Sequence, residues 1–303
     1  MTDRSRFEEE ARRAGLAWRA QEPMKDHTSF AVGGPAEYFF QLARQEQIQR
    51  LLQLCQACGM PYAVIGRGSN LLVSDRGVQG VVLCIYDPQA QPVLLGEGAV
   101  QAPAAMPLGT LCRWAASQGL SGLEFACGIP GTVGGAVFMN AGAYGGEMKD
   151  ILAGARHLYE GRVEHLSAGQ MGLGYRSSAY QGMEGCCILE AQLALRPGEP
   201  AEIRGRMEEL LRRRREKQPL ELPSAGSTFQ RPQGGYAAQM IEECGLKGLS
   251  FGGAQVSGKH AGFVVNTGGA TAEDILRLIQ RVQDEVYRQK GVRLKPEVKF
   301  LGF

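Results

Sequence analysis

The glycines of this chain crowd between Gly66 and Gly146, where they punctuate short apolar runs without a fixed period. Glycine at so many positions signals positive φ or a close approach of the backbone to another group. The lack of a collagen-like or solenoid repeat excludes a fibre or a repeat array. Two segments carry the pattern. Val64-Ile-Gly66-Arg-Gly68-Ser-Asn70-Leu-Leu-Val73 opens like a dinucleotide G-x-G-x-x-G, but the third glycine and the following helix are missing, and the loop runs into another strand-like segment. A Rossmann site holds pyrophosphate on a helix N-terminus, so that fold is excluded. Successive backbone N–H groups at Gly66, Arg67, Gly68, Ser69, Asn70 and Leu71 predict an anion-binding nest, with Ser69 and Asn70 as side-chain donors and Arg67 as added charge. The second segment runs from Cys127 to Gly142. Its Gly128, Ile129, Pro130, Gly131, Thr132, Gly134, Gly135, Asn140, Ala141 and Gly142 predict close approach of a large, flat ligand. A dinucleotide with an anionic pyrophosphate fits both segments.

The surrounding pattern is mixed. Ile48, Leu51, Leu52 and Cys55 share one helical face over residues 47–58, stopped by Gly59 and Pro61. Residues 62–65, 71–73 and 81–85 are short β-type runs, so the early part is α/β. Residues 93–195 alternate apolar segments with turns around one helix at 108–118, which predicts a β-rich region. Arg196-Pro-Gly-Glu-Pro200 predicts a hinge before a long polar helix, Ala201 to Lys217. A smaller α+β domain follows. Its last helix has Thr271 and Asp274 in capping-box spacing, then Ile275, Leu278, Ile279, Val282 and Val286 on one face, and Gly291 as its stop. After it Leu294, Pro296, Val298 and Phe300 alternate with Lys295, Glu297 and Lys299, which predicts a strand with Glu297 on its polar face.

Charge and cysteine usage narrow the function further. With 33 basic and 31 acidic residues the net charge is +2, so no global field draws the chain to nucleic acid or an anionic membrane. The first twenty residues mix acids with bases and lack the apolar core of a signal peptide, which predicts a cytoplasmic protein. Cys55-Gln-Ala-Cys58 is the single C-x-x-C and has no second pair or His pair at zinc spacing; no metal is expected. Cys186 and Cys187 read as small apolar strand residues.

At these motifs the chain resembles the UDP-N-acetylenolpyruvoylglucosamine reductases. His27-Thr-Ser-Phe30 with Val32-Gly-Gly-Pro-Ala36, the Gly66 and Gly128 segments, Tyr175-Arg176-Ser177, Ser224-Ala-Gly-Ser227-Thr-Phe229 and Pro296-Glu297-Val298 occur in the family's order, from about Asp26 to the C-terminus. Ala31 departs from the pattern where a basic residue is usual, and Asp26 where asparagine is frequent. The short C-terminal part is similar to the family's compact subtype, which lacks an inserted substrate-covering loop. The resemblance implies an α+β protein with a vanillyl-alcohol-oxidase (PCMH) type FAD-binding domain of two α/β subdomains. That domain would span 25–196, after an N-terminal helical segment at 1–24 and before a substrate-binding domain at 197–303.

It also implies noncovalent FAD, NADPH as hydride donor, and reduction of the enolpyruvyl ether of a UDP-sugar in peptidoglycan-precursor synthesis. Hydride addition to the methylene carbon drives negative charge onto the neighbouring carbon and carboxylate, which a cation and a hydrogen-bonding acid would hold. The matching positions are Arg176, whose planar fork suits a carboxylate, Ser227 as proton donor and Glu297, which either hydrogen-bonds the enolate or orients Arg176. Tyr175, Arg231 and Lys259 are the expected substrate contacts. Two other outcomes share parts of the pattern: a related FAD-dependent oxidase of another substrate, and a nonenzymatic sugar-nucleotide-binding protein.

Overall fold

The computed structural model describes residues 3–303. The chain forms two compact units, each assembled from three chain segments. The larger takes the segment ending at Ala20, then Tyr38–Arg67 and Gly80–Arg213; the smaller takes Gln21–Glu37, Gly68–Gln79 and Arg214–Phe303. These divisions do not follow the linear boundaries expected after residues 24 and 196. The hinge expected at Arg196–Pro200 is pinned instead. Arg196 and Pro197 pair antiparallel with Ser121 and Leu120, and the Gly198 N–H donates to the Gly119 carbonyl at 2.8 Å.

Among the described residues the helices are α1 (Asp3–Arg13), α2 (Gln45–Ala57), α3 (Leu108–Ser117), α4 (Val133–Phe138), α5 (Pro200–Lys217), α6 (Ala237–Glu243) and α7 (Ala272–Lys290). In the larger unit α2 buries Ile48, Leu51, Leu52, Leu54 and Cys55, the apolar face its spacing dictates. Burial pushes the Cys55 thiol up to about 12, with Cys58 adding to the effect, so Cys55 is inert packing. A five-stranded antiparallel sheet runs in the order 162–167, 152–159, 187–194, 99–103, 93–94. Strand Tyr62–Ile65 pairs parallel with Val81–Cys84. One apolar core joins these elements and includes Ile203 and Met207 of α5, which is why α5 begins as part of the larger unit.

The smaller unit has its own core. Ile275, Leu278, Ile279, Val282 and Val286 of α7 pack with Phe30, Val32 and Leu72, beside the three-stranded antiparallel sheet Ser250–Phe251, Ala254–Val256, Val264–Asn266. The capping box at Thr271 and Asp274 is formed, and Gly291 ends α7 at φ +69°. The other donors at the start of α7 are met from far along the chain. Asp75 Oδ1 accepts the Ala272 N–H at 2.8 Å and Oδ2 the Glu273 N–H at 2.9 Å, groups that a helix leaves without internal partners.

The C-terminal strand is shorter than its alternation predicts. Only Lys299–Leu301 is strand, paired parallel with Leu71–Val73, and Phe300 is exposed while Leu294 and Val298 are buried. Pro296, which has no N–H to donate to a ladder, makes an isolated bridge to Phe229 instead.

Candidate functional site

In the larger unit the two glycine segments meet. Gly66 follows strand Tyr62–Ile65, and a Cβ there would lie 2.6 Å from Thr132 Oγ1, so only glycine lets the turn lie against the start of α4. Thr132 is the N-cap of α4 and accepts the Gly135 N–H at 3.3 Å. Arg67 lies with its guanidinium 5.4 Å from the centre of the Tyr86 ring. Donors at the start of α4 are met within the protein. Val133 and Gly134 donate to the carbonyls of Met106 and Ala104 at 2.9 and 3.0 Å. Gly134 is small because a Cβ would stand 2.9 Å from that of Ala104; here glycine serves chain-to-chain packing.

Asn140, expected as a cofactor contact, has its side chain committed within the protein. It is fully buried with φ +41°. Its amide nitrogen donates to Glu147 Oε2 at 3.0 Å and to the Gly174 carbonyl at 2.8 Å, and its Oδ1 accepts the Lys149 N–H at 2.9 Å. Both donors are spent inside the protein. Ala141 is similarly committed through its backbone, donating to Ala136 O and accepting from Met148 N.

Gly174 and Ser177 exchange two backbone hydrogen bonds of 3.1 Å, which makes Tyr175-Arg176 a tight two-residue turn. Arg176 occupies its second central position at φ +51°, where glycine or asparagine is the comfortable residue. A bulky side chain in this conformation is strained and persists only where its surroundings over-determine it. Here they do. Gln181 donates to the Arg176 carbonyl at 2.9 Å and to the Phe138 carbonyl at 3.2 Å, and Ser178 Oγ donates to the same Phe138 carbonyl at 2.7 Å. The Arg176 guanidinium donates to the Gly142 carbonyl at 2.8 Å and lies 5.1 Å from the centre of the half-exposed Tyr175 ring. Glu147, hydrogen-bonded by Lys149 and Asn140 and near the charge of Arg176, is held below the usual carboxylate range. Ser178, Gln181 and Glu147 carried no sequence signal, because their partners are distant in the chain.

The smaller unit holds the remaining candidates. Gly68 has φ +60°, and a Cβ would fall 2.0 Å from the His27 carbonyl. Its own carbonyl accepts the Ser29 N–H at 3.2 Å. The Ser29 hydroxyl is buried and has no hydrogen-bond partner among the described residues. A buried donor beside a glycine turn fits an anionic ligand group, since an unmet polar atom is costly to bury. Asn70 donates to the Glu297 carbonyl at 3.1 Å. The Glu297 N–H donates to Thr228 O at 2.8 Å, so the Ser227 and Glu297 segments run side by side. Thr228 is fully buried and locks this pairing: its N–H donates to Gly262 O at 2.8 Å and its Oγ1 accepts the Val264 N–H at 2.9 Å. Ser227 itself is exposed.

Arg231 stacks on Tyr236 at 4.4 Å. Tyr236, Lys259 and His260 line a cavity of about 450 Å³ in this unit, together with Gln239, Glu242 and Glu243. Lys259 Nζ donates to the Arg215 carbonyl at 2.8 Å and lies 3.6 Å from Glu221. His260 accepts the Gly262 N–H at Nδ1, and burial pushes its pKa down. Among the described residues, no three His, Cys, Asp or Glu side chains gather as a metal site, and no helix is long and apolar enough to cross a membrane.

Comparison with known proteins agrees with this layout. Residues 36–167 match the model of an FAD-binding domain, and residues 218–301 match the C-terminal domain of UDP-N-acetylenolpyruvoylglucosamine reductase. The UDP-N-acetylenolpyruvoylglucosamine reductase of Clostridium botulinum strain Hall is 49% identical over 282 residues, covering 93% of this chain and 91% of the relative. UDP-N-acetylenolpyruvoylglucosamine reductase 2 of Symbiobacterium thermophilum is 46% identical over 285 residues, covering 94% and 92%. The crystal structure of the reductase from Thermus caldophilus superposes with a TM-score of 0.82 at 36% identity, covering 94% of this chain and 99% of that one. With identity of this order across both units, the chain belongs to the UDP-N-acetylenolpyruvoylglucosamine reductase family.

Proposed function

We propose that this protein reduces UDP-N-acetylglucosamine enolpyruvate to UDP-N-acetylmuramate, a peptidoglycan precursor, with NADPH as electron donor and FAD as noncovalent cofactor. The observation that most supports this reading is the strained, over-determined turn that presents Arg176. Bound FAD would supply the hydride relay between the nicotinamide and the enolpyruvyl methylene carbon. Ser29 and the turn Gly68–Asn70 would hold its anionic part, and the Gly66 turn against Thr132 would supply close backbone approach.

The chain's own residues carry the rest. Arg176 offers a bidentate fork to the substrate carboxylate and stabilises charge that grows as the double bond is reduced. Ser227 gives its hydroxyl proton to the carbon that becomes the carbanion and is reprotonated from water. Glu297 completes the set, either as a neutral acid donating to the enolate oxygen or as a carboxylate orienting the guanidinium. Tyr175, Arg231 and Lys259 are assigned to the sugar nucleotide, with Lys259 and the stacked Arg231 suited to a diphosphate. NADPH and the enolpyruvyl substrate act on the flavin in turn, which predicts ping-pong kinetics.

The test follows NADPH absorbance of the purified yellow protein with and without UDP-N-acetylglucosamine enolpyruvate. Substrate-dependent NADPH loss with UDP-N-acetylmuramate as product supports the proposal. NADPH consumption only with oxygen identifies an oxidase, and a colourless protein inactive after added FAD identifies a binding module; either result overturns it.

A further inference from the structure

We propose that Asn140 is a positioning residue for Arg176. This rests on the role given to Arg176 above. Asn140 holds the arginine from both ends. One amide hydrogen goes to the Gly174 carbonyl at 2.8 Å, the same carbonyl that closes the Tyr175-Arg176 turn by accepting from Ser177. Its left-handed backbone, φ +41°, directs the chain to Gly142, whose carbonyl receives the Arg176 guanidinium at 2.8 Å. The second amide hydrogen anchors Glu147 at 3.0 Å, the carboxylate that shares the surroundings of the arginine charge.

The residue type is dictated by these demands. The position needs a side chain that tolerates positive φ, donates twice and accepts once, and fits a site with no solvent exposure. Asparagine meets all four. Glycine tolerates the backbone but donates nothing, and aspartate has the right size but accepts at both oxygens. Asn140 therefore sets where the guanidinium stands, and an error of about 1 Å in such a group costs about 100-fold in rate.

The experiment is a double-mutant cycle on the FAD-loaded protein, with each half-reaction followed by stopped-flow flavin absorbance. Asn140→Gly is expected to slow oxidation by UDP-N-acetylglucosamine enolpyruvate about 10- to 100-fold, while reduction by NADPH changes by no more than about twofold. In an Arg176→Ala background the same substitution is expected to cost no more than about twofold, because the residue it positions is gone. Amide exchange at Gly174–Ser177 should quicken in Asn140→Gly, a readout independent of turnover. If Asn140→Gly does not fold, Asn140→Asp, which keeps the acceptor for Lys149 and removes both donors, carries the same test. Equal loss in both half-reactions, loss of FAD, or full additivity with Arg176→Ala overturns the inference. An Arg176→Ala protein with an unimpaired substrate half-reaction would instead overturn the function proposed for Arg176.

Discussion

The Arg176 turn and the Ser227–Glu297 pairing are held by opposite means. The first is clamped by side chains, with Asn140 and Gln181 bonding the carbonyls of a turn that would not choose its conformation and Ser178 anchoring the chain just after it to Phe138. The second is held mainly by the main chain, through Glu297 N to Thr228 O, Thr228 N to Gly262 O and Gln230 N to Lys295 O. Side-chain clamps give a position that single substitutions can release. Main-chain pairing survives most substitutions, and its weak points are the few buried side chains that lock it.

This contrast can be broken first at Arg176. Arg176→Ala is expected to slow the substrate half-reaction by about 10²–10³-fold, the usual cost of one group aimed at developing charge, with the NADPH half-reaction changed far less. Ser227→Ala should show the same asymmetry without a change in stability, because the residue is exposed; equal loss in both half-reactions would remove it from the mechanism. Thr228→Val sharpens the contrast from the other side. It leaves the buried Val264 N–H without an acceptor, so urea denaturation should show a loss of about 1–3 kcal/mol, while the folded fraction keeps its rate constants. Unchanged stability with collapsed rates would show that this region, too, depends on side-chain clamping.

Asp75→Ala should cost about 1 kcal/mol by leaving the Ala272 and Glu273 N–H groups of α7 without their acceptor, with no kinetic effect. The smallest effect is expected at His157, buried in strand 152–159 with Nδ1 3.4 Å from the Tyr180 hydroxyl and Nε2 lacking a hydrogen-bond partner among the described residues. Burial lowers its pKa from the ordinary 6.5. Below that value the unfolded chain takes up a proton that the folded protein refuses, so stability declines as pH falls from 6.5 toward the lowered value. His157→Phe should flatten that acid-side decline in pH-dependent urea melts; an unchanged slope would assign it to other groups.

The parts of the molecule written in local spacing were legible from sequence. The apolar stripe, capping box and terminal glycine of α7 all lie within one stretch of chain, and strand 62–65 shows as a short apolar run. Residues with long-range partners were not legible. Asn140 looks like one more member of a glycine-rich ligand loop until Gly174 is seen beside it, and Asp75 looks like a turn residue until it is found at the start of α7. The glycines themselves were ambiguous, since Gly134 makes room for Ala104 and Gly66 for Thr132, and no spacing rule distinguishes room for protein from room for ligand. The strand at 294–300 failed because alternation alone ignored the missing donor of Pro296.

The reach of Asp75 to a helix 197 residues later has a consequence for how the protein is made. Residues 21–37 and 68–79 leave the ribosome early, yet their partners in the smaller unit are among the last to be translated. Strand 71–73 must wait for 299–301, so this pairing forms only after more than two hundred further residues have been made. A fragment beginning at Arg214 would lack both that strand and the Asp75 carboxylate that meets two N–H groups of α7, and loss of residues 299–303 would leave the early strand without its neighbour.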